Sequence, residues 1–207
     1  MLAHAKRYVA LLLLGVGLSV APAYVHAYKI SGASGIPTVL IGDTIIVNNG
    51  AYSVRFPYTT TRMFRAGTPK RGDLVRVQIS NDPRLKGPFF KRVVGLPGEE
   101  VELREDRVFI NGRALSVKRL NPADFAWAPK THPIGSIVES EDGHWITYTP
   151  GKGPQRNHAA IRLASDQYFI LGDNRDDSYD SREFGPVSVD CFLGKVIAVL
   201  PTGERVK

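Results

Sequence analysis

The hydrophobic and polar positions of this chain divide it into two unequal parts. The first contains 20 consecutive residues, from Tyr8 to Ala27, without lysine, arginine, aspartate or glutamate. A helix rises about 1.5 Å per residue, so this segment matches a hydrocarbon core of roughly 30 Å. Lys6 and Arg7 precede it and favour a cytoplasmic N-terminus. The pattern therefore predicts a single membrane-spanning helix with the rest of the chain on the outer face.

This interpretation gives three segments: a cytoplasmic N-terminus (1–7), an anchor (8–27) and an exported domain (28–207). A cleaved secretory signal is the alternative. The most apolar part, Val9 to Val20, has the length of a signal-peptide core, and Val25-His26-Ala27 resembles a small-residue cleavage site. Both interpretations place the large domain outside the cytoplasm, so they differ only in whether the anchor is retained.

The remainder of the chain has the pattern of a β protein. Short runs rich in valine, isoleucine and phenylalanine are separated by glycine, proline, asparagine and aspartate, and no long amphipathic helix is indicated. The candidate strands are Thr44 to Asn48, Leu74 to Ile79, Phe89 to Val94, Glu99 to Arg104, Arg107 to Ile110, Trp145 to Thr149, Tyr168 to Leu171 and Gly194 to Leu200. We therefore expect a mainly β fold, an antiparallel sheet or a barrel-like arrangement.

One hairpin can be located within this pattern. Val101 and Leu103 alternate with charged residues, and Val108 and Ile110 alternate again after a turn at Glu105-Asp106. Asn111-Gly112 then provides a second turn.

After this hairpin the periodicity weakens and prolines accumulate among glycines. We interpret residues 113–165 as a small inserted cap in the exported domain.

Composition supports a folded protein with one main domain. The chain has 207 residues, of which 43% are hydrophobic and 23% charged. Its net charge of +7 comes from basic residues that are mixed with acidic ones, and no nucleic-acid-binding motif is present. Contact with anionic membrane lipid explains this net charge better than binding of nucleic acid does. Cys191 is the only cysteine, which excludes an intrachain disulfide and a thiolate metal cluster, and we expect no cofactor.

Candidate chemistry is concentrated in three segments. A charged run, Gly172-Asp173-Asn174-Arg175-Asp176-Asp177-Ser178-Tyr179-Asp180-Ser181-Arg182, interrupts apolar strand material. Earlier in the chain lie Ser34-Gly35-Ile36-Pro37-Thr38-Val39-Leu40 and Lys91-Arg92-Val93-Val94-Gly95-Leu96-Pro97-Gly98-Glu99.

A serine and a lysine can act together as nucleophile and base. A serine hydroxyl is a weak nucleophile until a base removes its proton, and a neutral lysine amine can do so if its pKa falls from about 10.4 to near 7. Burial can shift a lysine pKa by up to about 3 to 5 units. If residues 89–94 form a strand, Lys91 shares a face with Phe89 and Val93, while Arg92 points the other way and is either solvated or paired.

The three segments together resemble bacterial type I signal peptidases, also called leader peptidases. The charged run is similar to the signature Gly-Asp-Asn-Arg-Asp-x-Ser-x-Asp-Ser-Arg, and the other two resemble the family's nucleophile segment, Ser-Met-x-Pro-Thr-Leu, and its lysine segment. Lys70-Arg71-Gly72-Asp73-Leu74-Val75 resembles the motif between them. The resemblance implies a membrane-bound serine endopeptidase of the bacterial inner or plasma membrane, with its catalytic domain on the outer face. Its partners would be signal peptides of exported preproteins.

The resemblance also assigns roles. Ser34 is implied as the nucleophile, Lys91 as the general base and Ser178 as the hydroxyl that orients the lysine amine. The oxyanion hole would use the backbone N–H of Ser34 beside Gly32, a position that carries a hydroxyl in some members. Asp180 and Arg182 would form a charged pair that braces the site.

A leader peptide would add as an extended strand between residues 30–33 and 88–90, as the resemblance implies. The implied substrate-binding residues are Ile30, Ser31, Gly32, Ala33, Gly35, Pro88, Phe89 and Phe90. Gly35 departs from the family, which usually has methionine there, and a missing side chain would enlarge the pocket for the residue before the cut bond.

Four alternatives remain at this point. Ser31 is a rival nucleophile. His132, His144 and His158 would allow a Ser-His-Asp hydrolase, although none has a triad motif around it. A self-cleaving Ser-Lys protease of the SOS-repressor type would need a DNA-binding domain, and a non-catalytic homologue could serve as a binding or assembly subunit.

Overall fold

The protein is described by a computed structural model over residues 24–56, 62–80, 82–125, 137–150 and 156–202. These residues form strands linked by turns, with one short α-helix, α1 (Ser181–Phe184), and two 3-10 helices (Pro122–Phe125 and Val189–Cys191). The strands are β1 (Val25–Lys29), β2 (Thr44–Asn48), β3 (Ser53–Arg55), β4 (Arg62–Arg65), β5 (Leu74–Val77), β6 (Phe89–Gly95), β7 (Glu100–Arg104), β8 (Arg107–Ile110), β9 (Arg113–Ala114), β10 (Val117–Leu120), β11 (Ile137–Glu141), β12 (His144–Tyr148), β13 (His158–Arg162), β14 (Gln167–Leu171), β15 (Val187–Ser188) and β16 (Phe192–Leu200).

The prediction of a mainly β, antiparallel fold is confirmed. The largest sheet has seven strands in the order β1-β2-β16-β5-β6-β14-β15, and every pairing within it is antiparallel. Each of the eight predicted strands corresponds to an observed strand, and the β2 and β8 boundaries agree with the prediction. Strands β2 and β16 are far apart in the sequence but pair with each other, so early and late strands of the described residues lie side by side in one sheet.

The predicted hairpin is present as β7 and β8, with Val101 opposite Ile110 and Leu103 opposite Val108. Glu105 and Asp106 have φ values of 49° and 68°, the left-handed conformation that a tight two-residue turn requires. These four side chains are buried because alternate residues face the same side. They pack with Phe169 and Leu171 of β14, so the hairpin covers one face of the main sheet.

The region interpreted as an inserted cap contains two different structures. Strands β10, β11 and β12 form a small sheet of their own, whereas β13 returns to pair with β7. Thr147 of β12 reaches the charged run through an isolated bridge to Asn174. The small sheet therefore contacts the charged run, which contains both residues of the predicted brace.

The predicted anchor falls largely outside the described residues, which begin at Tyr24. In the part of the chain that the structure describes, no helix is both long enough and apolar enough to cross a membrane. The final residues of that prediction, 25–27, belong to β1, where they pair with β2. The apolar run therefore continues into a strand that leads directly to the segment containing Ser34.

Candidate active site

Ser34 lies in a loop between β1 and β2 that is closed at its base. The backbone of Ile30 pairs with Asp43 and Gly42 at 2.8 Å, and this extends the β1–β2 ladder by one step. The buried carboxylate of Asp43 accepts the N–H of Leu40 at 2.7 Å and the N–H of Thr202 at 3.1 Å. The loop is thus held by backbone and carboxylate contacts at its base, which fixes the position of Ser34.

A second contact holds the loop from the opposite side. The backbone N–H of Asn174 donates to the carbonyl oxygen of Ser34 at 3.1 Å, and the Asn174 side-chain amide donates to the carbonyl of Ala33 at 3.4 Å. Among the described residues, the backbone N–H of Ser34 has no acceptor. That N–H is therefore available to an added ligand.

Lys91 lies on β6, in the interior of the main sheet, and is paired in register with Val75. Its side chain is 4% exposed. The Nζ atom is 2.7 Å from Oγ of Ser34 and 5.3 Å from the centre of the Phe89 ring. The structure therefore brings the two implied reactive groups into direct hydrogen-bond contact, although they are 57 residues apart in the chain.

Burial lowers the pKa of Lys91 from 10.5 to about 8. Loss of water is the largest cause, because it disfavours the ammonium form. The carboxylates of Asp180 and Asp173 act in the opposite direction, while Arg182 lowers the pKa further. The net shift corresponds to about 3 kcal/mol against the ammonium form, so a useful fraction of neutral amine exists near neutral pH.

Arg92, the next residue on β6, is buried and paired; the solvated state allowed by the sequence does not occur. Its Nε and one terminal nitrogen donate to the two carboxylate oxygens of Asp173 at 2.7 and 2.6 Å. A third donation reaches the carbonyl of Gly72 at 2.7 Å. This bidentate pair joins β6 to the charged run on the face opposite Lys91.

Asp180 and Arg182 form a fully buried ion pair, with Nε of Arg182 2.8 Å from the carboxylate. The same carboxylate caps α1 and accepts the N–H of Gly172 at 2.9 Å and the hydroxyl of Ser178 at 2.7 Å. Burial alone would raise the pKa of Asp180, but Arg182 and these donors hold it below its ordinary value. The run is therefore folded around one ionised carboxylate.

Ser178 is buried and close to the loop that contains Ser34, since both approach the same side of Gly172. Its hydroxyl donates to Asp180. The Ser178 oxygen keeps a lone pair, which could accept a hydrogen bond from an amine. The role implied for Ser178, orienting Lys91, remains a prediction.

A cavity of about 360 Å³ opens beside Ser34. Seven of the eight residues implied in substrate binding line it: Ile30, Ser31, Gly32, Gly35, Pro88, Phe89 and Phe90. Ala33 does not line it. Arg76 and Tyr28 line the cavity as well and were not identified from the sequence, because neither belongs to a matched motif.

One buried ion pair and one buried hydrogen bond were also not identified from the sequence. Arg175 of the charged run is fully paired with Glu141 at the end of β11, and Tyr52 donates to Asp73 at 2.8 Å. These partners lie 34 and 21 residues apart, and no local spacing rule relates them. Their common effect is to satisfy the charges that the apolar surroundings would otherwise disfavour.

The structure gives no support to a histidine-based triad at Ser34. The side-chain partner of Ser34 is Lys91. His158 stacks edge-on against Phe169, and His144 lies in β12, where burial lowers its pKa. His132 is outside the described residues.

Comparison with known proteins confirms the family resemblance indicated by the motifs. A family model described as "Signal peptidase, peptidase S26" matches residues 2–200. The signal peptidase I of Pseudomonas fluorescens is 31% identical over 189 residues, which cover 84% of this chain and 64% of that protein. The signal peptidase I of Pseudomonas aeruginosa is 31% identical over 159 residues, which cover 76% of this chain and 55% of that protein.

The chain therefore spans only 55 to 64% of the length of these two relatives. A crystal structure of a signal peptidase I from Enterococcus faecalis V583 matches with 31% identity and a TM-score of 0.39, covering 62% of this chain and 97% of that one. Because the family model extends over nearly all of the sequence, the chain belongs to the signal peptidase family, peptidase S26.

Proposed function

We propose that this protein is a serine endopeptidase that removes N-terminal signal peptides from exported preproteins, with Ser34 as nucleophile and Lys91 as general base. The observation that carries the proposal is the 2.7 Å contact between Lys91 Nζ and Ser34 Oγ. It occurs where burial lowers the lysine pKa to about 8. A base with a pKa close to the working pH is the most effective proton acceptor.

The chemistry follows from this contact. Neutral Lys91 accepts the proton of the Ser34 hydroxyl as Oγ forms a bond to the scissile carbonyl carbon. The resulting tetrahedral oxyanion collapses, the carbon–nitrogen bond breaks, and the ammonium of Lys91 returns the proton to the departing amine. Water then adds to the acyl-serine, with Lys91 again accepting a proton, and releases the carboxylate and the free serine.

The oxyanion would be stabilised mainly by the backbone N–H of Ser34, which lacks an acceptor among the residues described. The hydrogen bond from Asn174 to the Ser34 carbonyl holds the adjoining backbone in place before the charge develops. Gly32 adds no side-chain hydroxyl. The loss of one such donor typically costs about 2.7 to 4 kcal/mol, so the fixed loop is a substantial part of the catalyst.

A leader peptide can bind by adding a strand at the cavity. Strand β14 pairs with β6 from Arg92 onward, so residues 89–91 keep one backbone edge unpaired on that side within the described structure. The segment 30–33 borders the same cavity. An extended peptide placed between the two would form main-chain hydrogen bonds and carry its scissile carbonyl to Ser34.

We further propose that the predicted anchor, up to the start of β1 at Val25, holds the protein in the bacterial inner or plasma membrane, with the catalytic domain on the outer face. Support comes from the apolar composition of that segment and the basic residues before it. Strand β1 begins at Val25, where the apolar segment ends, and lines the cavity at Tyr28. This arrangement would present the active site near the membrane from which a leader peptide emerges.

The pH dependence of cleavage tests this proposal. We expect kcat/KM for a synthetic leader peptide to rise about tenfold per pH unit below pH 8 and to level off above it, because only the neutral amine of Lys91 accepts the proton. The measurement uses the purified full chain, with the cut bond identified by mass spectrometry. An optimum below about pH 5, or no cleavage of any leader peptide, would contradict the proposal.

Gly35 is expected to enlarge the pocket for the residue before the cut bond. A side chain can be accommodated there, because a Cβ would lie 3.5 Å from Cβ of Val39, an ordinary contact. We expect Gly35→Met to leave cleavage after alanine within about threefold of wild type and to reduce cleavage after valine or leucine by about tenfold or more.

This prediction requires a peptide series that varies only at the residue before the cut. Gly87→Met is the matched control, since Gly87 has open space around it and is not part of the cavity lining. Equal effects on alanine, valine and leucine peptides would show that Gly35 does not set the pocket size.

A further inference from the structure

Arg76 is an unusual component of the proposed substrate cavity. Most of the lining is apolar and includes Leu74, Ile45 and Phe90. The lining also contains Lys29, and among its described members none is aspartate or glutamate. The cavity thus presents two positive charges to an occupant without a negative charge of its own to balance them.

Arg76 is partly buried, and its guanidinium lies over an aromatic ring. Its central carbon lies 4.5 Å from the centre of the Tyr28 ring, and the residue is opposite Phe90 in the β5–β6 ladder. Stacking of this kind uses the face of the guanidinium and leaves the N–H groups at its edge free to donate.

Other arginines of the structure show which acceptors the guanidinium N–H groups bind. Arg92, Arg175 and Arg182 are buried, and each donates to a carboxylate. Within the described residues the Arg76 guanidinium has the Tyr28 ring as its partner and makes no ion pair. A planar fork of donors beside an apolar cavity matches a carboxylate in geometry and in charge.

We propose that Arg76 is a specificity-determining residue that selects leader peptides with an aspartate or glutamate among the residues just before the cut bond. The inference rests on the proposed function, since it concerns the substrate of that site. The acidic side chain accepts hydrogen bonds from the edge of the guanidinium, while the neighbouring peptide residues occupy the apolar lining. Lys29, which is exposed at the same cavity, adds a second favourable charge.

The experiment compares glutamate with glutamine, which has the same shape without the charge, at each of the five positions before the cut. Two readouts are made on the full-length protein: kcat/KM for the active chain, and Kd by fluorescence anisotropy for Ser34→Ala, in which peptide is bound but not cut. We expect one position to favour glutamate by about tenfold in both readouts, the size of a partly solvated charge-assisted hydrogen bond.

Variants of Arg76 separate this role from a structural one. Arg76→Gln is expected to reduce the glutamate-to-glutamine ratio to within twofold of one, and Arg76→Lys to retain part of it. Arg113→Gln, an exposed arginine on β9 away from the cavity lining, is the matched control and should keep the full ratio. A merely structural Arg76 would change both peptides equally.

Three outcomes would overturn the inference. The first is a ratio near one at all five positions, and the second is a ratio that persists in Arg76→Gln. The third is that Arg76→Gln binds phosphatidylglycerol vesicles more weakly while its glutamate-to-glutamine ratio is unchanged. That result would mean that Arg76 contacts lipid and not the peptide. If no peptide is cut, the proposed function fails, while the Kd ratio in Ser34→Ala still decides the role of Arg76.

Discussion

Replacing Ser34 or Lys91 with alanine is expected to reduce kcat/KM for a leader peptide by about 10³-fold or more, which corresponds to about 4 kcal/mol of transition-state stabilisation. Ser34→Ala removes the atom that forms the covalent bond. Lys91→Ala removes the only base in contact with that atom within the described structure, 2.7 Å away. Because the two groups act as one unit, the double variant should be no slower than either single variant.

Two control variants make this test specific. Ser31→Ala removes the rival hydroxyl three residues earlier and should retain activity if Ser34 is the nucleophile. Lys118→Ala removes an exposed lysine of β10 and should also be active. Cleavage at more than about one-tenth of the wild-type rate by Ser34→Ala or by Lys91→Ala would rule out the dyad. An inactive wild type would instead favour a non-catalytic homologue.

Whether a strand could be predicted from the sequence depended largely on how its residues are buried. Strands β7 and β8 could be predicted because one face is buried, so apolar and charged residues alternate along them. Strand β10 could not, since its residues are half-buried or exposed and no alternation is imposed on them. Strand β1 was concealed for another reason: its first residues continue the apolar run of the predicted anchor.

The site follows the same logic. Ser34 and Lys91 lie in motifs that could be recognised locally, and burial of Lys91 could be inferred from the apolar residues on its face of β6. Arg92 and Asp173 are 81 positions apart, so their pairing could not be predicted from the sequence, which allowed the arginine to be either solvated or paired. Arg76 belongs to no motif, and only the register of β5 with β6 brings it to the cavity.

Gly172→Ala is expected to produce the second largest loss of activity, about 10²-fold, although residue 172 takes no part in bond making. A Cβ at this position would lie 2.2 Å from Oγ of Ser178 and 2.9 Å from the carbonyl oxygen of Ser34. Neither distance is tolerable, so the charged run and the nucleophile loop must separate. A displacement of about 1 Å is enough to cost roughly 10²-fold in rate.

The same substitution should also destabilise the fold by about 1 to 3 kcal/mol, the usual cost of inserting an atom into a packed interior. Thermal unfolding measures this, with Gly87→Ala as the control because Gly87 has open space around it. If the clash acts through the nucleophile loop, kcat should fall more than KM rises, since the cavity lining does not include Gly172. Wild-type kcat in a stably folded Gly172→Ala protein would show that contact between the charged run and Ser34 is not needed for catalysis. The expected loss of kcat would mean that the charged run holds Ser34 in position, and that it can do so only because residue 172 has no side chain.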